Sequence, residues 1–209
     1  MNKEKKELDF EAAISNQSSL SLEKAKEKEK TSAMRTTFRL TDDAQNAIKA
    51  LSQKYQLKII FDQISELLIH EKEITKIVAE NAKKMDLQDL MKYNRKSFAV
   101  SQKAVNIFGS LTKKYGVSRD ALMNWSIIAY RLLLENKEKE DVKKVMQAKK
   151  KIQNFWRKVE DFESELIELL GKDHSVVIGF GYVPVMLDNL ESAIDKYLET
   201  GEPIDPYNL

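Results

Sequence analysis

The sequence predicts a mainly α fold with two short strands, and three observations carry that expectation. A stretch of chain occurs twice: Arg35-Thr36-Thr37-Phe38-Arg39-Leu40 returns as Arg95-Lys96-Ser97-Phe98-Ala99-Val100. An internal repeat decides architecture before any single residue does. The 209 residues are 33% charged and include only six Gly and three Pro, a balance that favours long solvated helices over a β-rich fold. The third observation is a heptad spacing of apolar residues toward the C-terminus.

Residues 1–34 are expected to form a charged arm. Glu23 to Lys30 alternates sign with no apolar face, so it can bury too little surface to offset the entropy of ordering. Leu8, Phe10, Ile14, Leu20 and Leu22 are the anchors that would seat such an arm on DNA or on a protein partner.

Residues 35–70 form the first repeat. Phe38 and Leu40 alternate with Thr37 and Arg39, which gives a strand with one apolar face. Thr41 suits an N-cap, with Asp42 and Asp43 at the positive end of the helix that follows. Ala44, Ile48, Leu51 and Tyr55 fall on one helical face. A second helix carries Ile60, Ile64, Leu67 and Leu68. Residues 71–94 read as a helical linker in which that second helix runs on, breaks near Asp86, and gives way to a short helix.

Residues 95–135 repeat the pattern at an offset of sixty, with no gap. Ser101 answers to Thr41 as the cap, and Ala104, Phe108, Leu111 and Tyr115 form the face. Gly116 suits a left-handed helix end and Ser118 a new N-cap. The next helix carries Leu122, Trp125, Ile128 and Leu132.

Residues 136–209 are expected to form a C-terminal helical hairpin or coiled coil. From Lys137 to Leu170, Val145, Ala148, Ile152, Phe155, Val159, Phe162, Leu166 and Leu169 follow an a/d pattern. Gly171 ends that helix. Ser175 to Val185 is glycine-interrupted and reads as a turn or short extended piece. A last helix begins near Pro184, carries Leu187, Leu190, Ile194 and Tyr197, and stops at Gly201 and Pro203.

Strand, helix, turn, helix in about forty residues resembles the ribbon-helix-helix DNA-binding family, the group of the Arc and MetJ repressors. The resemblance covers roughly residues 35–70 and 95–134. It implies that the two strands pair antiparallel, here within one chain as an intramolecular pseudo-dimer. A forty-residue unit alone buries too little surface to be stable, and its strand needs a partner.

Catalysis finds little support in the residue types present. There is no Cys, and the two His, His70 and His174, lie far apart. Gly179-Phe180-Gly181 lacks the third glycine and the strand–helix context of a dinucleotide loop, and reads as a turn. We therefore expect no enzyme, no catalytic residues, no metal, no cofactor and no small-molecule substrate. No apolar run approaches the roughly eighteen residues that span a bilayer, and the N-terminus carries no secretory signal. A cytoplasmic protein without a membrane partner is expected.

The resemblance instead implies double-stranded DNA as the partner, entered through the major groove by the strand pair. Counting from Leu40 and Val100 turns Arg35, Thr37 and Arg39 outward on one strand, and Arg95, Ser97 and Ala99 on the other. These six are the candidate base-reading residues. Arg grips guanine O6 and N7 with two bonds, and Thr or Ser serves either base type. The family also anchors a phosphate at the N-terminus of its second helix. Gly116-Val117-Ser118-Arg119 matches that pattern, whereas Gln56-Leu57-Lys58 lacks the glycine and the hydroxyl. Lys58, Ser118 and Arg119 are the candidate phosphate contacts.

Charge is unevenly placed although the net value is only +2. Lys143, Lys144, Lys149, Lys150, Lys151, Arg157 and Lys158 form a basic stretch without acids, and from Asp173 onward seven acids face a lone basic residue, Lys196. The expected function is a sequence-specific transcriptional repressor. Its variants are an accessory protein of plasmid transfer or partition, which the tandem arrangement also resembles, and a protein-interaction scaffold or antitoxin that binds DNA weakly. Self-association through the C-terminal helices is the second expected partnership.

Overall fold

The computed structural model describes residues 33–205 together with Phe10, Ala13 and Ile14. The rest of the arm expected over 1–34 lies outside the described residues. The fold is mainly helical with one two-stranded antiparallel sheet. In chain order it runs β1 (Ala33–Arg39), α1 (Asp42–Lys54), α2 (Leu57–His70), α3 (Lys72–Lys84), α4 (Leu87–Met91), β2 (Arg95–Ser101), α5 (Gln102–Tyr115), α6 (Arg119–Leu170), α7 (Ser175–Phe180) and α8 (Tyr182–Thr200). Two compact units, Met1–Lys137 and Glu138–Leu209, meet inside α6.

In the first unit β1 and β2 pair so that Arg35 faces Ala99, Thr37 faces Ser97 and Arg39 faces Arg95. Thr37 and Ser97 are the residues that correspond at the sixty-residue offset, so the two strands cross at matching points. Phe38, Leu40, Phe98 and Val100 are buried, as period-two alternation requires. Phe61 of α2 meets the Phe98 ring edge-on at 5.4 Å, and the Phe38 ring lies 6.0 Å from each. Ile60, Ile64, Leu68, Phe108, Leu122, Met123, Ile127 and Tyr130 complete the core, which also takes in Phe10 and Ile14. Tyr130 buries its ring and donates its hydroxyl to Gln63 Oε1 at 2.5 Å; burial raises its phenol well above the ordinary range.

The sixty-residue offset does not hold throughout. It fits the strands, caps and first helices, but α2 and α6 match at sixty-two. At that offset Ile60, Phe61, Ile64, Ser65, Leu67 and Leu68 fall on Leu122, Met123, Ser126, Ile127, Ala129 and Tyr130, and every one of these is buried. The turn between α1 and α2, Tyr55-Gln56, is one residue shorter than Gly116-Val117-Ser118, and α1 is one residue shorter than α5, which together give the shift of two. The longer turn uses Gly116 at φ +64°, with the Val117 N–H bonded back to the Thr112 carbonyl at 3.2 Å, the helix ending that glycine permits.

Three further expectations are corrected. The second helix of the first repeat does not run on: Glu71 leaves helical geometry and α3 starts at once. The Thr75 hydroxyl sits between the carbonyls of Leu68 and Glu71, at 2.5 and 2.9 Å, and satisfies the end of α2. Conversely, the long helix does not begin at Lys137. It is one with the second helix of the second repeat, because residues 131–138 hold neither Gly nor Pro and Arg131 pairs with Glu135 at 2.5 Å. That helix buries Met123, Ser126, Ile127 and Tyr130 and leaves Trp125, Ile128 and Leu132 partly covered; Ala82, Met85 and Leu90 of the 71–94 segment cluster with its Ala121 and Trp125. Finally, Ser175 to Val185 is helical rather than turn or strand, with His174 Nδ1 accepting from the Val176 N–H at 3.2 Å.

In the second unit α8 returns antiparallel along α6. Lys149 pairs with Asp195 and, at 3.6 Å, with Glu191; the Gln153 amide donates to Glu191 Oε1 at 2.5 Å; and the Phe162 and Phe180 rings lie 5.3 Å apart. The covered stripe of α6 is Val145, Lys149, Ile152, Trp156, Val159, Glu163 and Leu166, the a and e positions. The predicted d positions, Ala148, Phe155, Phe162 and Leu169, stay exposed. One helix alongside covers one side of a heptad seam only.

Candidate nucleic-acid interface

The outward face of the strand pair is built by alternation. With Phe38, Leu40, Phe98 and Val100 pointing inward, residues 35, 37, 39, 95, 97 and 99 must point the other way. Arg35, Arg95, Ser97 and Ala99 are exposed, and Thr37 and Arg39 are half-buried. The register assembles the six into three opposed pairs, Arg35 with Ala99, Thr37 with Ser97 and Arg39 with Arg95. Neither strand contains an acid, and Lys96 adds a fourth cation.

None of Arg35, Arg39 and Arg95 has a carboxylate partner among the described residues. Arg39 Nε is buried with no hydrogen-bond partner. Like charges set directly across a strand pair destabilise it, so the Arg39–Arg95 pair is a local cost of the fold that a bound anion would relieve. Lys96 differs: its ammonium is tied to the Gln45 side chain, which in turn donates to the Leu40 carbonyl at 2.7 Å.

The phosphate candidates fall in different places. Ser118 accepts the Ala121 N–H at 3.0 Å and so caps its own helix. Arg119 turns back onto β1: it donates to the Thr37 carbonyl at 2.9 Å and reaches Thr36 Oγ1 at 3.4 Å, with its guanidinium 5.1 Å from the Phe38 ring centre. It braces the strand. Lys58 is half-buried in the first turn of α2, yet it is not the counterpart of Ser118. Gln56 is, and it makes no side-chain cap bond.

Two residues that position the ribbon escape a motif-based reading. Asn124 is fully buried and spans the end of β1. Its carbonyl oxygen accepts from the Thr41 N–H at 2.7 Å, and its amide donates to the Arg39 carbonyl at 2.8 Å and to the Asp120 carbonyl at 2.7 Å. Its counterpart at the sixty-two offset, Asp62, accepts from the hydroxyl of Ser101 at the end of β2. Ser101 and Thr41 each cap the following helix, accepting from Ala104 at 3.1 Å and Ala44 at 3.3 Å. Each strand end is therefore fastened to the other repeat's second helix. A polar residue amid an otherwise buried helical run, as Asn124 is, was the available signal.

Among the described residues there is no group of His, Cys, Asp and Glu that could hold a metal ion, and no helix is long and apolar enough to cross a membrane. Comparison of the chain with protein-family models, curated proteins and solved structures found no match.

Proposed function

We propose that the chain is a sequence-specific double-stranded DNA-binding protein, a repressor that works in the cytoplasm by laying its strand pair in the major groove. One observation supports this most: three opposed outward pairs that present three arginines without a carboxylate partner among the described residues, a threonine and a serine, with no acid on either strand. A two-stranded ribbon fits that groove, arginine and hydroxyl side chains suit base edges, and cations suit the polyanion around them. In this reading the two repeats are a ribbon-helix-helix pair fused in one chain, related about the Thr37–Ser97 crossing.

The outward set is not symmetric. Arg35, Thr37 and Arg39 face one half of the site, and Arg95, Ser97 and Ala99 the other. The preferred site is then an imperfect palindrome, with weaker discrimination where Ala99 lies. Selection of binding sites from a random duplex library, followed by titration at several salt concentrations, tests this. Arg39→Ala should relax preference at one position, by about 1–3 kcal/mol for a lost two-bond guanine contact. Recovery of no preferred site from the library, or an Arg39→Ala protein with unchanged preference, would overturn the base-reading assignment. Binding that is absent at moderate salt would favour the scaffold reading, to which the apolar, exposed Ala99 also lends itself.

A further inference from the structure

The second unit leaves a line of apolar side chains largely exposed, although Phe162 touches the Phe180 ring at its edge. Phe155, Phe162 and Leu169 are 53%, 48% and 78% exposed, and Ala148 extends the line by one more heptad. Among the described residues of the unit, Val159, Val177 and Ile194 alone are buried apolar side chains. A unit of this size with so small a core is poorly stabilised alone. The seven-residue spacing matters. On a straight helix such a line drifts by about 20° per heptad, and it stays on one side only when the helix winds about a partner. α8 already occupies the neighbouring stripe, so the line needs a second partner.

The charges on the same helix say which one. From Lys143 to Lys158 α6 holds seven basic residues and no acid; from Glu160 to Glu168 it holds Glu160, Asp161, Glu163, Glu165 and Glu168 and no base. A parallel copy would set like against like. An antiparallel copy sets the basic half against the partner's acidic half. The apolar line has the same self-complementarity. About a centre between Lys158 and Val159, Phe155 meets the partner's Phe162, and the small Ala148 meets the partner's Leu169. In that register Lys151 and the partner's Glu165, both flanking the apolar line, lie beside each other.

We infer that the second unit is an antiparallel self-association surface, in which α6 of a second copy covers the Ala148–Phe155–Phe162–Leu169 line. Opposed charge halves add orientation more than affinity, and the phenylalanines supply the buried apolar area. This inference stands apart from DNA binding; it adds that each assembly carries two ribbons, whose linked binding would exceed that of either alone.

Sedimentation equilibrium of the full chain tests it, with the expected result a dimer at micromolar concentration. Leu169→Lys places a cation where the partner's basic half would lie, yet it suits a helix C-terminus. It should weaken association at least tenfold while leaving helicity by circular dichroism unchanged. Because the chain has no Cys, orientation can be read from disulfides, which need Cα atoms within about 7 Å. Ala148→Cys and Leu169→Cys proteins should cross-link when mixed and not alone, and Lys158→Cys should cross-link with itself. A monomeric wild-type chain at tens of micromolar overturns the proposal, whatever else then covers the face. Self-cross-linking of Ala148→Cys, or of Lys158→Cys without the mixed pair, overturns the antiparallel arrangement.

Discussion

The second helix of each repeat, α2 and the start of α6, buries matching positions but holds its neighbouring strand differently. α6 reaches β1 through two side chains. Asn124 bridges the backbone on both sides of Leu40, and Arg119 bonds the Thr37 carbonyl and covers the Phe38 ring. At the matching positions α2 has Asp62 and Leu57. Asp62 carries acceptors only and takes a single hydroxyl, that of Ser101; Leu57 has no polar group to offer. Core positions tolerate exchange among apolar residues of similar size, so both copies keep them. Fastening a strand end needs donors and acceptors in fixed places, and there the two helices differ. β1 is the strand fastened by more polar side-chain bonds, and β2 the one fastened by fewer.

The core side of this comparison gives the largest expected effect. Phe61→Ala removes the ring that meets both Phe38 and Phe98, and should cost about 3–5 kcal/mol. Met123→Ala, at the matching position, should cost about 2–5 kcal/mol. Urea unfolding followed by circular dichroism would measure both. A loss below about 1 kcal/mol at either position would break the equivalence of α2 and α6 at the sixty-two offset.

The strand fastenings come next. Asn124→Ala would leave the Thr41 N–H and the Arg39 carbonyl without partners in a buried place, a loss of about 1–3 kcal/mol. Asp62→Ala removes one bond to a hydroxyl that still caps α5, and should cost about 0.5–1.5 kcal/mol. Hydrogen exchange should show β1 amides better protected than those of β2 in the wild-type chain, and the contrast should vanish in Asn124→Ala. The reverse ranking would mean that β1 owes its stability to something other than α6.

How much of this was legible in the residues depended on the kind of signal. Alternation placed Phe38, Leu40, Phe98 and Val100 inside, because period two leaves no other option for an amphipathic strand. Thr41 and Ser101 announced their helices, since a cap is a local bond within three residues. The offset of the second helices was not legible. Apolar residues are dense enough in 57–70 and 119–133 that a two-residue shift still pairs one with another. Thr75 and Asn124 act across 7 and 83 residues respectively; the polar Asn124 within an apolar run marks a buried bond, but no local pattern names its partner. The heptads showed that α6 has an apolar seam, but among the described residues α8 lies along the a and e positions, and the d positions stay exposed. The outward ribbon residues followed from alternation, while the turning of Arg119 back onto β1 depends on the nearby Phe38 ring.

The helix entries sharpen the comparison on a smaller scale. Ser118→Ala should cost about 1 kcal/mol, the usual value of a lost N-cap. Gln56→Ser, which gives α2 the cap it lacks, should stabilise by a similar amount or less. Thermal unfolding of the two variants would measure both. A destabilising Gln56→Ser would show that the shorter turn cannot bring a hydroxyl onto the free amides of α2.

The smallest effect concerns a contact that exists on one side of the repeat only. Glu66 of α2 pairs with Lys103 of α5 at 2.5 Å and with His70 at 3.2 Å. At the position matching Glu66, α6 has Ile128, which can form no ion pair. The hydrogen bond from Lys103 is the main cause that holds the Glu66 carboxyl below its ordinary value of 4.5, against a smaller opposing effect of burial. A carboxyl with a depressed folded-state value stabilises the fold above its unfolded value, and that stabilisation is lost as pH falls through the folded value. Both side chains are well exposed, at 41% and 59%, so water and salt screen the pair to roughly 0–1 kcal/mol. Glu66→Gln should therefore be slightly less stable than the wild type at pH 7 and equal to it once the pH lies below the folded value. Added salt should narrow the gap at pH 7, because exposed pairs are screened. Urea midpoints of the two proteins between pH 3 and 7 would show it. A gap that widens on acidification would mean that the protonated carboxyl is the stabilising form and that Lys103 does not set its titration.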